Sequence, residues 1–238
     1  TPEATRNASD YGDESIRHLD DMEHIRLRPG MYIGRLGDGS QPEDGIYVLL
    51  KESIDNSIDE FNEGFGKKIE VDIRNGVASI RDYGRGIPLG SLIPAVSKLN
   101  TGGKFNTDAF QFSVGMNGVG TKAVNALSDE FHVRSVRDGE FSEATFAKGK
   151  LVSKKRGKLK DASERQGTFV RFLPDATIFK KFKFREEHVM RRLKMYAYLN
   201  AGLTLDLNGQ KIVSDEGLGD LIQDEAQFEK IYQPFHFR

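Results

Sequence analysis

Residues Tyr47 to Phe61 read YVLLKESIDNSIDEF. At about a hundred degrees per residue, Leu50, Ile54, Ile58 and Phe61 fall on one stripe, which predicts an amphipathic helix with an apolar face for a core. The opposite face aligns Glu52, Asn56 and Glu60 at i, i+4 and i+8, a carboxylate, a carboxamide and a second carboxylate in one row. A row of this kind on a merely solvated helix usually has basic residues interleaved with it. Here Lys51 is the only base, and Asp55 and Asp59 add a like-charged pair at i, i+4. The cluster of acidic oxygens therefore reads as a site awaiting a cation.

Downstream, Ile69, Val71 and Ile73 alternate, Asn75-Gly76 supplies a tight turn, and Ala78, Ile80 and Asp82 alternate on the return, which predicts a β-hairpin. The two-residue period points Asp82 the same way as Ile80. An inward carboxylate needs a donor partner, because burying it unpaired is costly. The chain continues Asp82-Tyr83-Gly84-Arg85-Gly86-Ile87-Pro88, where two glycines allow backbone to come close to a ligand. Turns use the same residues, so D-x-G-x-G alone is not specific.

A third block is Gly115-Met116-Asn117-Gly118-Val119-Gly120-Thr121, followed by a predicted helix over Lys122 to Leu127. A glycine-rich loop opening a helix presents N–H groups and a positive dipole end, which suits phosphate. Its spacing approaches a P-loop but has Thr121-Lys122 where that motif needs Lys followed by Ser or Thr. It also approaches the dinucleotide fingerprint, without the surrounding alternation of strands and helices.

Around these blocks, Thr1 to Ser15 is polar and aperiodic, an arm whose single large apolar anchor is Tyr11. Ile16 to Ile25 and Ser91 to Leu99 predict short helices, and Asn106 to Val114 a loop. Phe131 to Arg137 and Glu140 to Ala147 flank Asp138-Gly139 as a second hairpin. Lys154 to Lys160, KKRGKLK, reads as a basic surface loop. Phe169 to Leu173 predicts a strand, Arg185 to Leu199 a helix, and Leu203 to Leu207 with Lys211 to Val213 a third hairpin across Asn208-Gly209. Hairpins with helices between them predict an α+β two-layer sandwich, a mixed and mostly antiparallel sheet with helices on one face. Residues 16–217 form the main domain, and 218–238 begin a further element.

The chain has 238 residues, 37% of them hydrophobic, enough for a substantial core. A net charge of −1, from 35 basic and 36 acidic residues, announces no global field for nucleic acid, so any DNA contact is local or made elsewhere, mainly through regions outside this chain. The absence of cysteine excludes disulfides, thiolate metal sites and cysteine nucleophiles, and fits a reducing compartment. With neither a membrane-length apolar run nor a signal peptide before the polar start, the cytoplasm is expected and no membrane partner is.

E-x-x-x-N on a helix, D-x-G-x-G after a strand, G-x-x-G-x-G before a helix and a late Gly167-Thr168 stand in a fixed order. With RLRPGMYIG, ESIDNSIDE, DYGRGIP, TGGKF, GMNGVGTKAVNALS and GTFVRF, the sequence resembles the ATPase region of the B subunits of bacterial type IIA topoisomerases. These lie within the wider GHKL group of Hsp90, MutL and histidine-kinase ATP-binding domains. The resemblance implies a Bergerat-type fold that binds ATP and Mg2+. It makes Glu52 the general base, Asn56 the Mg2+ ligand, and Asp82 the acceptor for the adenine amino group, helped by Thr168 through an ordered water. Gly84, Gly86 and Ile87 would line the base. Lys104 and the loop Gly115, Met116, Asn117, Gly118, Val119, Gly120 and Thr121 would hold the phosphates, with 106–114 as part of a lid. Tyr32 and Arg137 match positions at the site mouth, and Tyr11 an arm residue reaching the partner's nucleotide in an ATP-dependent homodimer. Arg85 would pair with Glu60, making Glu60 structural.

The implied partners are an A-type subunit carrying the DNA-cleaving tyrosine, DNA itself, and ATP-competitive inhibitors. A second phosphate-sensing lysine would lie in a transducer domain beyond Arg238, so slow turnover is expected of this chain. Met116-Asn117 stands where such subunits often have Leu-His, leaving only the backbone role there. The short segment between Pro88 and Gly102 favours topoisomerase IV over gyrase. The alternatives are another GHKL module, such as a histidine-kinase type, or a non-enzymatic DNA-binding fragment built on Lys154 to Lys160 and Lys180 to Lys194.

Overall fold

A computed structural model describes residues 20–99, 118–161 and 163–225. The strands are β1 (Lys68–Arg74), β2 (Val77–Asp82), β3 (Ser128–Arg137), β4 (Glu140–Ala147), β5 (Lys150–Lys158), β6 (Gly167–Pro174), β7 (Thr204–Leu207) and β8 (Gln210–Ile212). They form one sheet in the order β5-β4-β3-β6-β2-β1-β7-β8. Neighbours pair antiparallel except β1 with β7, which run parallel, so the sheet is mixed as expected.

The three predicted hairpins form, and their chemistry is that of primed turns. Both central residues have positive φ at Asn75-Gly76 (54° and 79°), Asp138-Gly139 (53° and 77°) and Asn208-Gly209 (52° and 94°). A fourth tight turn, Lys148-Gly149, joins β4 to β5 with the same signs. That turn corrects the expectation for Lys154 to Lys160, most of which lies in an edge strand rather than a loop. Nearly every residue of β5 is exposed, so no apolar alternation marks it, and lysines on an edge are a usual guard against further strand pairing.

Register explains the core. Leu207, Val71, Ile80, Val170, Val133 and Ala144 pair in sequence across six strands, and all are buried. The adjacent row, Glu70, Arg81, Phe169, Arg134 and Glu143, belongs to the opposite face and is only partly buried. Alternation thus places one apolar face of the sheet under helices.

The helices are α1 (Asp21–Leu27), α2 (Gly30–Ile33), α3 (Gly45–Asn62), α4 (Leu92–Ser97), α5 (Gly120–Ala126), α6 (Ala176–Phe179), α7 (Glu186–Leu199) and α8 (Leu218–Glu225). Asp20 caps α1 by accepting from the Glu23 N–H. The central helix α3 buries Leu49, Leu50, Ile54 and Ile58 in the same core as the sheet row, while Phe61, at the end of its stripe, is only partly buried. Helix α8 packs on α7, where the Tyr198 hydroxyl donates to Asp224. Among the described residues, no helix is long and apolar enough to cross a membrane.

Candidate active site

Helix α3 holds both ends of the site. One end is the buried Asp82, at the last position of β2. Its Oδ1 accepts the backbone N–H groups of Gly84 and Thr168, each at 3.0 Å, and its Oδ2 accepts the Ser57 hydroxyl at 3.1 Å. The donor partner that the sequence demanded is therefore supplied by the protein. Burial nevertheless raises the Asp82 pKa, outweighing the Gly84, Thr168 and Ser57 hydrogen bonds. A carboxylate has about four acceptor positions, so three donors leave room for a fourth.

Two of these donors escape sequence reasoning. The resemblance gives Thr168 a role through an ordered water and does not foretell the direct bond that its backbone amide makes to Asp82. Ser57 carries no motif, although Ser53 and Ser57 recur at i, i+4 on the inward side of α3 and both are buried. Small hydroxyls facing a strand that ends in an inward carboxylate are a readable signal.

The turn after Asp82 is shaped chiefly by protein. A Cβ at Gly84 would lie 2.8 Å from Glu60 Oε2, and one at Gly86 would lie 2.7 Å from the Val136 carbonyl oxygen, with φ at +76°. Packing against Glu60 and β3 by itself favours glycine at both positions. Gly167, at φ +134°, would bring a Cβ within 2.9 Å of the Asp82 carbonyl carbon. Glu60 is tied to Arg85 by its backbone N–H (2.9 Å), Nε (3.1 Å) and Nη2 (3.0 Å), the structural pairing expected of it. The Ile87 carbonyl accepts the Ser135 hydroxyl at 2.7 Å, fixing the end of the turn.

The other end lies where α3 meets the start of α5. Asn56 is exposed, and its amide nitrogen donates to the Glu52 carbonyl (2.7 Å) and to Thr121 Oγ1 (3.0 Å). Those two bonds fix which side of the carboxamide carries the oxygen. Glu52 is partly exposed. Its Oε1 is 3.5 Å from Lys51 Nζ, and its Oε2 occupies the space that a side chain at Gly120 would need. Gly118 sits at φ +60° just before the helix, and Val119 is its N-cap.

The acidic cluster does not gather as a cation cage. Asp55 is buried and accepts from Lys51 and the Tyr196 hydroxyl, and Glu60 is held by Arg85. Among the described residues, no three His, Asp or Glu side chains converge as a metal site. The donor set here fits a hard ion held by one neutral protein oxygen together with phosphate and water oxygens, which is the habit of Mg2+.

Tyr11, Lys104, Gly115, Met116 and Asn117 lie outside the described residues, as does the 106–114 segment. Tyr32 donates to or accepts from His24 Nδ1 at 2.7 Å, and Arg137 Nη1 reaches the Gly86 carbonyl at 3.5 Å.

A family profile described as histidine kinase-, DNA gyrase B- and HSP90-like ATPase matches residues 41–178, more than half of the chain and all of the described site. The chain belongs to that ATPase family. It is 55% identical to the B subunit of DNA topoisomerase 4 from Borreliella burgdorferi over 217 residues, 91% of this chain and 36% of that protein. It is 36% identical to the B subunit of DNA gyrase from Mycolicibacterium smegmatis over 235 residues, 93% of this chain and 33% of that protein. Among solved structures, the 43K ATPase domain of Thermus thermophilus gyrase B, crystallised with an aminocoumarin, superposes with a TM-score of 0.75 at 27% identity. That match covers 90% of this chain and 57% of the crystallised one. The chain thus spans about a third of the length of the first two relatives and has the α+β fold of the gyrase B ATPase domain. As a member of an ATPase family it is an ATP-binding domain.

Proposed function

We propose that this chain is the ATP-hydrolysing domain of the B subunit of a type IIA DNA topoisomerase. Topoisomerase IV is favoured over gyrase because the identity is 55% to the one and 36% to the other. The observation that carries the nucleotide assignment is Asp82, a buried carboxylate with three protein donors and one acceptor position left. The adenine amino group is a donor of the right kind, and Thr168 would support it through an ordered water. Gly84, Gly86 and Ile87 shape the wall on that side. From Ser57 back to Glu52 is five residues of helix, about 8 Å of axial rise, which separates the base end of the site from the phosphate end.

At the phosphate end, the N–H groups of Gly115 to Thr121 and Lys104 would bind the phosphates. Asn56 would hold Mg2+ through its carbonyl oxygen, the ion supplying charge neutralisation at the phosphate oxygens. Glu52 orients a water and takes its proton as the water oxygen bonds to the γ-phosphorus and the bond to the departing ADP breaks.

Two chains would then dimerise on ATP, with Tyr11 of the 1–15 arm reaching the other subunit's nucleotide, and so gate DNA passage through the break made by an A-type subunit in the cytoplasm. Residues 218–238 would begin a transducer domain whose lysine completes the phosphate site, so turnover by this chain is slow and a longer chain is faster. Compounds that compete for ATP would take the Asp82 position. The assignment is tested with Glu52→Ala, which should bind a non-hydrolysable ATP analogue with Mg2+ as the unsubstituted chain does and hydrolyse no ATP. Retained hydrolysis would overturn it.

A further inference from the structure

The Glu52 carboxylate is held from two sides. Oε2 lies against Gly120 at the start of α5, and Oε1 is 3.5 Å from Lys51 Nζ. Adjacent residues on a helix do not ordinarily face each other, so Lys51 needs a reason to lean toward Glu52. Asp55, one turn on, provides it. Its Oδ2 takes the ammonium at 2.5 Å, and the Asp55 side chain is 2% exposed. The Tyr196 hydroxyl, from α7, donates to the other oxygen, Asp55 Oδ1.

We propose that Lys51, anchored by Asp55 and Tyr196, is a positioning residue that fixes the rotamer of the Glu52 carboxylate for water activation. The inference rests on Glu52 being the general base, and it extends that assignment to Lys51, Asp55 and Tyr196.

The electrostatics agree with the geometry. Burial, the largest influence on Lys51, favours its neutral amine, yet Asp55 and Glu52 together outweigh it and raise the ammonium's pKa. Burial first, and the Asp55 charge second, push the Tyr196 phenol far above its usual range, so it stays a donor. Arg192, on the preceding turn of α7, adds a weaker opposing positive field at Tyr196. A bare surface ion pair explains little of this, because Asp55 is sealed in while Lys51 bridges from it to a half-open carboxylate.

The test compares the unsubstituted chain with Lys51→Met, Lys51→Arg and Tyr196→Phe, each checked for its melting transition. Affinity for a non-hydrolysable ATP analogue with Mg2+ is measured beside the rate of single-turnover ATP hydrolysis. Lys51→Met keeps the stem and loses the charge; it should bind the analogue normally and hydrolyse roughly 10- to 100-fold more slowly. Lys51→Arg, which can still bridge two carboxylates, should recover most of the rate, and Tyr196→Phe should show a smaller loss of the same kind. A Lys51→Met chain that hydrolyses at the unsubstituted rate overturns the inference, as does one that loses analogue affinity while keeping its saturated rate. Should Lys51→Met melt too low to assay, an unchanged rate in Tyr196→Phe overturns it equally. An unsubstituted chain that fails to bind the analogue, or that binds it yet hydrolyses no ATP, overturns the ATPase assignment itself, an outcome separate from all of these.

Discussion

The Glu52 carboxylate rests against the Cα of Gly120, filling the volume that any side chain at position 120 would occupy. This contact joins the middle of α3 to the first residue of α5. It converts a glycine that looks like a phosphate-loop residue into the wall that sets where the Glu52 carboxylate, the proposed general base, stands.

Gly120→Ala follows directly. Position 120 is helical without positive φ, so alanine strains no backbone there, and the two nearest atoms it meets, Glu52 Oε2 and Cδ, are the far end of a flexible side chain, with Glu52 Cβ in tight contact at 3.1 Å. The melting temperature should hold while Glu52 swings away, and single-turnover hydrolysis should fall by roughly 10-fold or more. A rate equal to that of the unsubstituted chain would show that the wall does not position Glu52.

Glu60 lies in the same helical row as Glu52 but is committed to the Arg85 guanidinium and backbone N–H, and Arg85 also stacks 4.2 Å from the centre of the Phe65 ring. Glu60→Gln weakens a charge-assisted fork that is partly shielded from water. Denaturant titration should show a loss of roughly 1–2 kcal/mol, with ATP turnover by the folded protein unchanged. Loss of turnover without loss of stability would make Glu60 catalytic after all.

Asp175 provides a pH signature of the fold. Its side chain is fully buried, Arg26 Nη2 donates to it at 2.6 Å, and Lys148 Nζ stands 3.4 Å away. Burial is the largest influence and would raise its pKa, but the Thr177 and Arg26 hydrogen bonds outweigh it and lower the value from 3.8 to about 2. A carboxylate depressed in the folded state adds stability above its unfolded value, and that stability is lost as pH falls through the folded one. Denaturant titrations should therefore show a loss on the order of 2 kcal/mol from this group between pH values of about 4 and 2. The Asp175→Asn chain should lack that component and be less stable at neutral pH. An identical acid profile in both chains would contradict the assignment.

Much of this was legible in the sequence for local reasons. Leu50, Ile54 and Ile58 announced α3 by period, and Asn-Gly and Asp-Gly announced hairpins because both residues of a primed turn need positive φ. Glu52, Asn56 and Asp82 stood out because their types and spacing fit a recurring chemistry. What was hidden depends on contacts far apart in sequence or on backbone. The parallel pairing of β1 with β7 joins segments more than a hundred residues apart. The Thr168 amide on Asp82 and the space behind Gly84 and Gly86 leave no mark on residue type beyond the glycine itself. The edge strand β5 has no buried side to impose alternation, so KKRGKLK looked like a loop.

The central claim is that Asp82 receives the adenine amino group, and Asp82→Asn tests it most directly. The asparagine Oδ1 can still accept from the Gly84 and Thr168 amides, and its Nδ2 can donate to the Ser57 hydroxyl oxygen, so the three internal bonds have counterparts. Burial raises the native carboxyl's pKa, so the unliganded protein loses stability as pH rises through that value; asparagine removes the charge, and stability at neutral pH should hold or increase. What changes is the position left for the base, where an N–H donor replaces an acceptor and would face the adenine amino group donor to donor. Calorimetric titration of a non-hydrolysable ATP analogue with Mg2+ should show binding to the unsubstituted chain and at least roughly 10-fold weaker binding to a folded Asp82→Asn chain. Equal binding by the two chains would contradict the account and move the adenine elsewhere.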